Sequence, residues 1–218
     1  MFASRVFASP GPGFADPTPD AQRAFRAVLD ALAHPTRSFP LAGPADPPAA
    51  LGRGLAAVAL TLLDEDCAVW LGGTLAHDAE VAAWLAFHTG VRRVTAAAEA
   101  DFVIAGPDAL PPLASLAPGT DEAPHRSATV VLDIRGRTGF PSTGFPSTGP
   151  ARFCARGPGI DGAVTFAASW AADGFAGEWH RNTQVFPRGV DLLLVAEDTV
   201  AALPRTTRLT AADQELED

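Results

Sequence analysis

The sequence contains neither lysine nor tyrosine, so all 16 of its basic side chains are arginines. An enzyme that forms a Schiff base, or that holds pyridoxal phosphate as an internal aldimine, needs a lysine amine. The phosphate-binding Walker A loop also contains a lysine. The absence of lysine therefore excludes both classes of protein, and we expect no cofactor.

Cysteine is scarce as well: Cys67 and Cys154 are the only two, and they form no CxxC pair. The five histidines, at positions 34, 77, 88, 125 and 180, lack the spacing of a zinc site. We therefore expect two reduced core cysteines and no metal, with a disulfide as the alternative. There is no GxSxG nucleophile elbow and no recognisable catalytic cysteine, so we assign no catalytic residue.

Long apolar runs are also missing. The longest, residues 55–63, has nine residues, far fewer than the ~18 that a membrane helix needs. The first 13 residues lack the continuous apolar core of a signal peptide. The net charge of −9 argues against a general nucleic-acid binder, which needs a basic face. These absences predict a cytoplasmic protein that binds neither membranes nor nucleic acid.

What the sequence does contain is an interleaving of helical and strand patterns with no convincing linker. This predicts one α/β domain over residues 1–218, a three-layer sandwich with a mixed sheet. We expect a loose leader at 1–12 and an acidic tail at 210–218. Residues 139–149 repeat GFPST in tandem. We interpret them as an inserted exposed loop, with recognition through Phe140 and Phe145 as the alternative.

The first helix is predicted from its capping residues and its hydrophobic spacing. Thr18 is placed as its cap and Pro19 at its first position, and the helix ends at His34. Its apolar side chains fall on one face, typical of a helix packed on a core: Phe25, Val28, Leu29 and Leu32. Gln22, Arg23 and Arg26 lie on its polar side, which is either a face for a ligand or partner or an ordinary solvated surface.

Further helices are predicted at about 48–63, 78–88 and 170–183, and strands at 68–71, 101–105, 128–134, 152–156 and 163–168. A buried β-hairpin follows, formed by the apolar runs 190–196 and 200–203 around a turn at 197–199.

The hairpin ends in two arginines and two hydroxyls, which we call the Arg–Thr cluster: Arg205, Thr206, Thr207 and Arg208. Arginine forks match the oxygens of phosphate or carboxylate bidentately. Arginine is also enriched at protein interfaces. The cluster is therefore the best candidate in the sequence for binding either an anion or another protein chain.

Several sequence blocks, in order along the chain, resemble the PhnH family, the H subunit of the bacterial carbon–phosphorus lyase system for phosphonate utilisation. They are GFADPTPDAQRAFRAVLDALAHP (13–35), LTLLDEDCAVWL (60–71), WLAFHTG (84–90), ADFVIAG (100–106), GPGI (157–160) and NxxxFPRGVDLLLV with LPRTTR (182–208). There are two departures. Thr36 stands where the family usually has glycine, and the GFPST repeat is a private insertion.

The resemblance implies a fold similar to that of the pyridoxal-phosphate-dependent transferases, without the cofactor. It also implies a homodimer that joins the G, I and J subunits in a core complex. With the G, I and L proteins, the family supports transfer of ribose triphosphate from ATP to an alkylphosphonate. Catalysis is placed on the I and J subunits, so the resemblance gives this chain no catalytic residue.

Our leading hypothesis from the sequence is a cytoplasmic, non-catalytic assembly subunit of this complex. The rival is a free-standing enzyme or binding protein for a phosphorylated metabolite, with Arg205 and Arg208 holding the anion. A third hypothesis is that the vestigial cofactor cleft still binds a small ligand at the dimer interface.

Overall fold

The computed structural model describes residues 11–137 and 151–212. The predicted GFPST loop lies outside the described residues, as do most of the predicted leader and the last six residues of the predicted tail. The described part is an α/β fold with four α-helices: α1 (Pro17–Ala33), α2 (Gly52–Leu62), α3 (Ala79–Thr89) and α4 (Phe175–Gln184). None of the helices in these ranges combines the length and the apolar composition needed to cross a bilayer.

A mixed sheet of seven strands forms the centre of the fold. Its strands are β1 (Phe39–Pro40), β2 (Ala68–Leu71), β3 (Arg92–Arg93), β4 (Phe102–Ala105), β5 (Thr129–Asp133), β8 (Asp191–Val195) and β9 (Thr199–Leu203). Their order across the sheet is β1-β9-β8-β5-β4-β2-β3. The five strands from β8 to β3 run parallel, whereas β9 is antiparallel to both of its neighbours.

A separate antiparallel sheet contains β6 (Arg152–Arg156) between β7 (Val164–Ala167) and β10 (Arg208–Ala211). The strand β10 follows β9 after a short turn, so the chain leaves the large sheet and enters the small one at the Arg–Thr cluster. Because β10 extends to Ala211, the predicted tail at 210–218 begins inside a strand.

The central sheet is covered on both faces. Leu193 and Val195 of β8 pack with α1, α2 and α3, while Leu192 and Leu194 point to the opposite side. There they meet the small sheet and α4 in a second core that includes Trp179. This alternation of side chains is what a strand covered on both faces requires. The predicted hairpin is confirmed, with Leu193 of β8 paired to Ala202 of β9.

The helix α3 is formed as its sequence predicts. The Asp78 carboxylate accepts hydrogen bonds from the backbone N–H groups of Glu80 and Val81, at 2.8 and 3.0 Å. Gly90 ends the helix with a φ of 69°, the left-handed conformation that glycine adopts at little cost.

Three helix starts differ from the prediction. The helix α1 begins at Pro17 after Asp16, α2 begins at Gly52, and α4 begins at Phe175. In α1, proline still occupies the first helical position, but the cap and this proline, Asp16 and Pro17, lie two residues earlier than the predicted pair Thr18 and Pro19. The predicted starts of α2 and α4 lie too early in the chain, because apolar residues in the preceding loops continue the hydrophobic pattern of each helix.

The prediction of the buried face of α1 is wrong in part. Val28 is buried, but Phe25 and Leu29 are 47% and 48% exposed. The helix instead buries small residues against α2 and β9, namely Ala24, Ala27 and Ala31. Alanines allow helix and sheet backbones to approach closely, so the larger side chains beside them are left outside.

Thr36 follows α1 and has a φ of 70°, the only positive φ of a non-glycine residue in the described ranges. A β-branched residue is strained in this region. The conformation explains why glycine suits this position, which is one of the two departures from the family pattern. Thr36 is also buried, and its N–H donates to the carbonyl of Ala202 in β9.

Candidate functional site

The Arg–Thr cluster lies in the turn between β9 and β10. The N–H of Thr207 donates to the carbonyl of Pro204 at 2.8 Å, which closes the turn. The indole N–H of Trp179 in α4 donates to the Thr207 carbonyl at 2.7 Å. These bonds fix the turn against the helix and set the direction of each side chain in the cluster.

Arg205 is directed into the protein. Its guanidinium bonds both carboxylate oxygens of Asp191, with Nε at 3.1 Å from Oδ1 and Nη2 at 2.5 Å from Oδ2. Nη2 also donates to the Ser127 hydroxyl at 2.6 Å. Nη1 donates to the carbonyls of Pro124 and Pro187, at 3.0 and 3.3 Å. An arginine has five N–H donors, and here these five bonds occupy all of them.

Arg205 therefore joins three segments of the chain and has no donor left for a phosphate. Only 13% of its side chain is exposed. Thr207 is also unavailable, because it is fully buried. Within the described residues, its hydroxyl oxygen has no hydrogen-bond partner. Ligand or partner binding by the cluster stays a prediction, and Thr206 and Arg208 are the members that can carry it.

A surface depression of about 380 Å³ lies beside the turn. Thr206, Arg208 and part of Arg205 form one wall of it. The rest of its lining comes from Pro158, Thr183, Gln184 and Phe186. Arg208 is exposed, and Arg156 is its partner across the β6–β10 pair. Two arginines are therefore cross-strand neighbours beside the depression.

Gln22 and Arg26, the other predicted binding residues, lie elsewhere. They line a second depression of about 290 Å³ on α1, together with Phe25, Leu29 and Asp30. No residue lines both depressions. The structure therefore divides the predicted site residues between two surfaces.

The carboxyl ends of the parallel strands form a third candidate site, which was not predicted from the sequence. The chain passes from β3 on one side of β2 to β4 on the other. Parallel α/β sheets bind ligands in the crevice at such a switch point. A pocket of about 240 Å³ lies there and is lined by residues that include Gly72, Thr74, Gly106, Asp133 and Arg135. We call it the carboxyl-edge pocket.

Two charged residues of this pocket, Arg135 and Asp133, are paired with each other. Arg135 Nη2 lies 2.7 Å from Asp133 Oδ2 and 2.6 Å from the Ala50 carbonyl oxygen. The hydrogen bond to Asp133 raises the pKa of Arg135 above its ordinary value. A side chain at Gly52 would collide with this guanidinium, since a Cβ there would lie 2.1 Å from Nη1. The bond to the Ala50 carbonyl joins the ion pair to the segment just before α2.

A signal for this pocket was present in the sequence. Gly72 and Gly73 follow one predicted strand, Gly106 follows the next, and Asp133 is the last residue but one of a third. Glycines and a carboxylate after successive parallel strands meet at one edge of the sheet. The signal is usable only when the strands are known to be parallel neighbours, which the sequence analysis did not establish.

Cys67 immediately precedes β2 and is partly buried. Burial raises the pKa of its thiol most, and the hydrogen bond with Asp64 raises it further. The same bond lowers the pKa of the Asp64 carboxyl. A thiol with a raised pKa is a poor nucleophile at neutral pH, in agreement with the expectation of a structural core cysteine. Cys154 is buried and forms no disulfide among the described residues.

Comparison with known proteins identifies the family. The family described as "Bacterial phosphonate metabolism protein (PhnH)" matches residues 12–210. The chain belongs to the PhnH family. The resemblance inferred from the sequence blocks is thereby confirmed.

Two relatives show how far the PhnH similarity extends. The chain is 40% identical over 197 residues to "Alpha-D-ribose 1-methylphosphonate 5-triphosphate synthase subunit PhnH" of Rhizobium meliloti (strain 1021), covering 90% of this chain and 93% of the relative. It is 34% identical over 200 residues to "Putative C-P lyase subunit protein HtxG" of Stutzerimonas stutzeri, covering 88% and 86%. The match to the family spans the Arg–Thr cluster, the helix α1 and the carboxyl-edge pocket.

Proposed function

We propose that this PhnH-family chain is an assembly subunit of a carbon–phosphorus lyase complex in organic phosphonate catabolism. The observation that carries the proposal is the similarity to a named synthase subunit over 90% of this chain and 93% of the relative. A match that covers nearly all of both chains supports the same role for the whole protein. The second relative, named as a subunit of a C-P lyase, supports the same system.

In this proposal the chain acts in the cytoplasm as a homodimer. It joins the G, I and J subunits, and it supports transfer of ribose triphosphate from ATP to an alkylphosphonate together with the L protein. The chain contributes no catalytic residue, cofactor or metal of its own. We also propose that this layered fold with a mixed sheet is related to that of the pyridoxal-phosphate-dependent transferases and has lost the cofactor.

The described surface supports an assembly role through its exposed apolar side chains. Phe25 and Leu29 lie on α1, Phe87 on α3, and Val185 and Phe186 follow α4. Phe87 and Phe186 are the most exposed of them, at 66% and 62%. Exposed aromatic residues are typical of protein interfaces. The PhnH-family chain thus offers more than one contact surface.

The test is co-expression of the tagged chain with its G, I and J partners. We expect all four proteins to co-purify in constant ratio through affinity and size-exclusion chromatography. A deletion strain should also need this chain for growth on methylphosphonate as the phosphorus source, but not for growth on phosphate. Failure to co-purify, together with normal growth of the deletion strain on methylphosphonate, contradicts the proposal.

A second candidate function is the binding of a phosphorylated metabolite without partners, at the depression beside the Arg–Thr cluster. The observation that favours it is the exposed guanidinium of Arg208 beside Thr206, opposite Arg156. Calorimetry with ATP, ribose 5-phosphate and methylphosphonate tests it on the isolated chain. Arg208→Ala is the informative variant, since it removes a side chain that makes no internal ion pair among the described residues. Binding that survives Arg208→Ala, or no binding at all, excludes this function.

The carboxyl-edge pocket is where we propose to test the hypothesis of a vestigial cleft. Among the described residues, Arg135 is the only arginine that lines it, and it is paired with Asp133, so these residues offer no unpaired cation to attract an anion. Ligand binding there stays the third hypothesis, and the same calorimetry tests it through Thr74→Ala.

A further inference from the structure

The outer face of α1 is a surface whose character does not fit a monomer in water. It comprises Gln22, Phe25, Arg26, Leu29 and Asp30. Phe25 and Leu29 are nearly half exposed, although both are large and apolar. A helix that already buries a face of small residues has no need of large apolar side chains on its other side. They therefore indicate a surface that another helix or sheet covers.

The side chains on this face form two parallel rows. Phe25 and Leu29 are four residues apart and make one ridge, and Gln22, Arg26 and Asp30 make the other at the same spacing. The depression of about 290 Å³ is the groove between the two rows. Rows with a spacing of four are the ridges that fit into matching grooves when two helices pack. The helix thus carries a ridge and a groove of the same geometry side by side.

We propose that this face binds the same face of a second copy of the chain. The two copies of α1 cross in an antiparallel sense about a two-fold axis close to residues 27 and 28. The apolar ridge of each copy then fills the groove of the other, at the crossing angle of about −50° that ridges of this spacing prefer. The inference rests on the homodimer in the proposed function and names the surface that forms it.

The charges on the helix select a second copy and fix its direction. A two-fold interface has to be complementary to itself, because the same patch contributes both sides. Arg26 and Asp30 have opposite charges and are centred near the proposed axis, so an antiparallel partner places each arginine against an aspartate. A parallel partner would place like charges together. Within residues 11–137 and 151–212 of one chain, neither Arg26 nor Asp30 has an ion-pair partner.

Charge reversal with rescue tests the pairing. Arg26→Asp places aspartate against Asp30 of the partner, and Asp30→Arg places two arginines together. We expect each single change to raise the dissociation constant of the dimer by at least about 100-fold, since like charges in contact strongly disfavour association. The double variant restores opposite charges, and we expect a dissociation constant within about tenfold of the original. Sedimentation equilibrium of the full chain measures all four proteins.

Two further variants complete the test. Leu29→Asp introduces a charge into the apolar ridge, and we expect a monomer with an unchanged circular dichroism spectrum. Arg126→Asp is the matched control, because this exposed arginine lies in the turn before β5, away from α1. Reversal of its charge should leave the dimer intact. If Arg26→Asp and Leu29→Asp dimerise as tightly as the control, the inference is overturned.

The same variants separate this inference from the proposed function. If the chains substituted in α1 still form dimers but no longer co-purify with G, I and J, then α1 binds a different subunit. That result overturns the two-fold interface but retains the assembly role. A monomer that still co-purifies supports both the α1 interface and the assembly role. If the α1 substitutions abolish the dimer, but even the unsubstituted chain does not co-purify with G, I and J, the α1 interface is supported and the proposed function is rejected.

Discussion

The turn after β9 and the helix α1 use their side chains in opposite ways. In the turn, the charged Arg205 lies inside, with each of its donors bonded to the protein itself. On α1, the apolar Phe25 and Leu29 lie outside, with almost half of their surface exposed. The charged residue contributes to the stability of the fold, whereas the apolar residues contribute little to it and remain available for a partner.

The contrast shows that polarity alone does not identify a binding residue. A charged side chain is available to a ligand only if its hydrogen bonds are not already used within the protein. An apolar side chain belongs to the core only if the neighbouring element leaves room for it. Four predictions follow from this contrast, and the expected effects decrease from the first to the last.

The largest effect is expected for Arg205→Ala. The substitution leaves the Asp191 carboxylate without its cation and leaves Ser127 and two carbonyls without their donor. Removal of one partner from a buried pair costs 3–5 kcal/mol, and we expect about 3 kcal/mol because Asp191 keeps some contact with water. Urea denaturation measures the loss in the free energy of unfolding. Arg208→Ala, the exposed neighbour, should cost no more than about 0.5 kcal/mol, and equal losses for the two variants would break the contrast.

The next effect concerns adjacent residues of α1. Val28→Ala removes methyl groups from the core, and we expect it to lower the free energy of unfolding by about 2 kcal/mol. Leu29→Ala removes a larger side chain but should cost only about 0.5 kcal/mol, because that side chain is already half in water. Urea denaturation at concentrations that keep the chain monomeric measures both. A greater loss for Leu29→Ala would place Leu29 in the core after all.

A smaller effect, of opposite sign, is expected for Thr207→Val. The substitution replaces a buried hydroxyl by a methyl group of similar size, and that hydroxyl has no hydrogen-bond partner among the described residues. We expect the free energy of unfolding to rise by about 1 kcal/mol, since the desolvation of an unbonded hydroxyl is avoided. Thermal denaturation provides the measurement. A clear loss of stability would show that the hydroxyl does have a partner.

The smallest effect concerns the Cys67 thiol. Burial and Asp64 together raise its pKa, so its alkylation by iodoacetamide should be slow at neutral pH and accelerate as the pH rises through the raised pKa. Asp64→Ala removes one cause and retains burial, and we expect the alkylation rate at neutral pH to rise by about twofold to fivefold. Mass spectrometry of the labelled peptide measures the rate. An unchanged rate would assign the whole shift to burial.

The same thiol has a consequence for stability at high pH. A group whose pKa is higher in the folded state contributes stability that is present below its unfolded pKa. That contribution is lost as the pH rises through the folded pKa. The Asp64→Ala chain should therefore lose less stability than the unchanged chain on the alkaline side.

Much of the fold was predictable because its signals are local. The hairpin of β8 and β9, the helix α3 between Asp78 and Gly90, and the strand β2 each have a hydrophobic period or a cap within a few residues. The strands β1 and β3, with two residues each, were missed. Such short strands are defined by the neighbours with which they pair, and that pairing has no signal in the strand itself. The strand β10 was missed for the same reason.

The candidate sites were predictable only in part. The sequence placed Arg205, Thr206 and Arg208 together because they are neighbours in the chain, and the structure brings them to one depression. It did not assemble the carboxyl-edge pocket, whose residues come from loops after three different strands. Nor did it show that Gln22 and Arg26 belong to a separate surface.

By itself, the sequence determined the α/β class, the family, and the exclusion of lysine-dependent chemistry, because these depend on residue types and short patterns. Only the tertiary structure decided which residues are free to bind. The N–H groups of Arg205 that do not bond Asp191 donate instead to groups distant in the chain, namely the Ser127 hydroxyl and the carbonyls of Pro124 and Pro187. Close packing of small residues in α1 leaves Phe25 and Leu29 outside. Saturation of hydrogen bonds and room for a side chain are properties of neighbours in space, and the order of residues does not contain them.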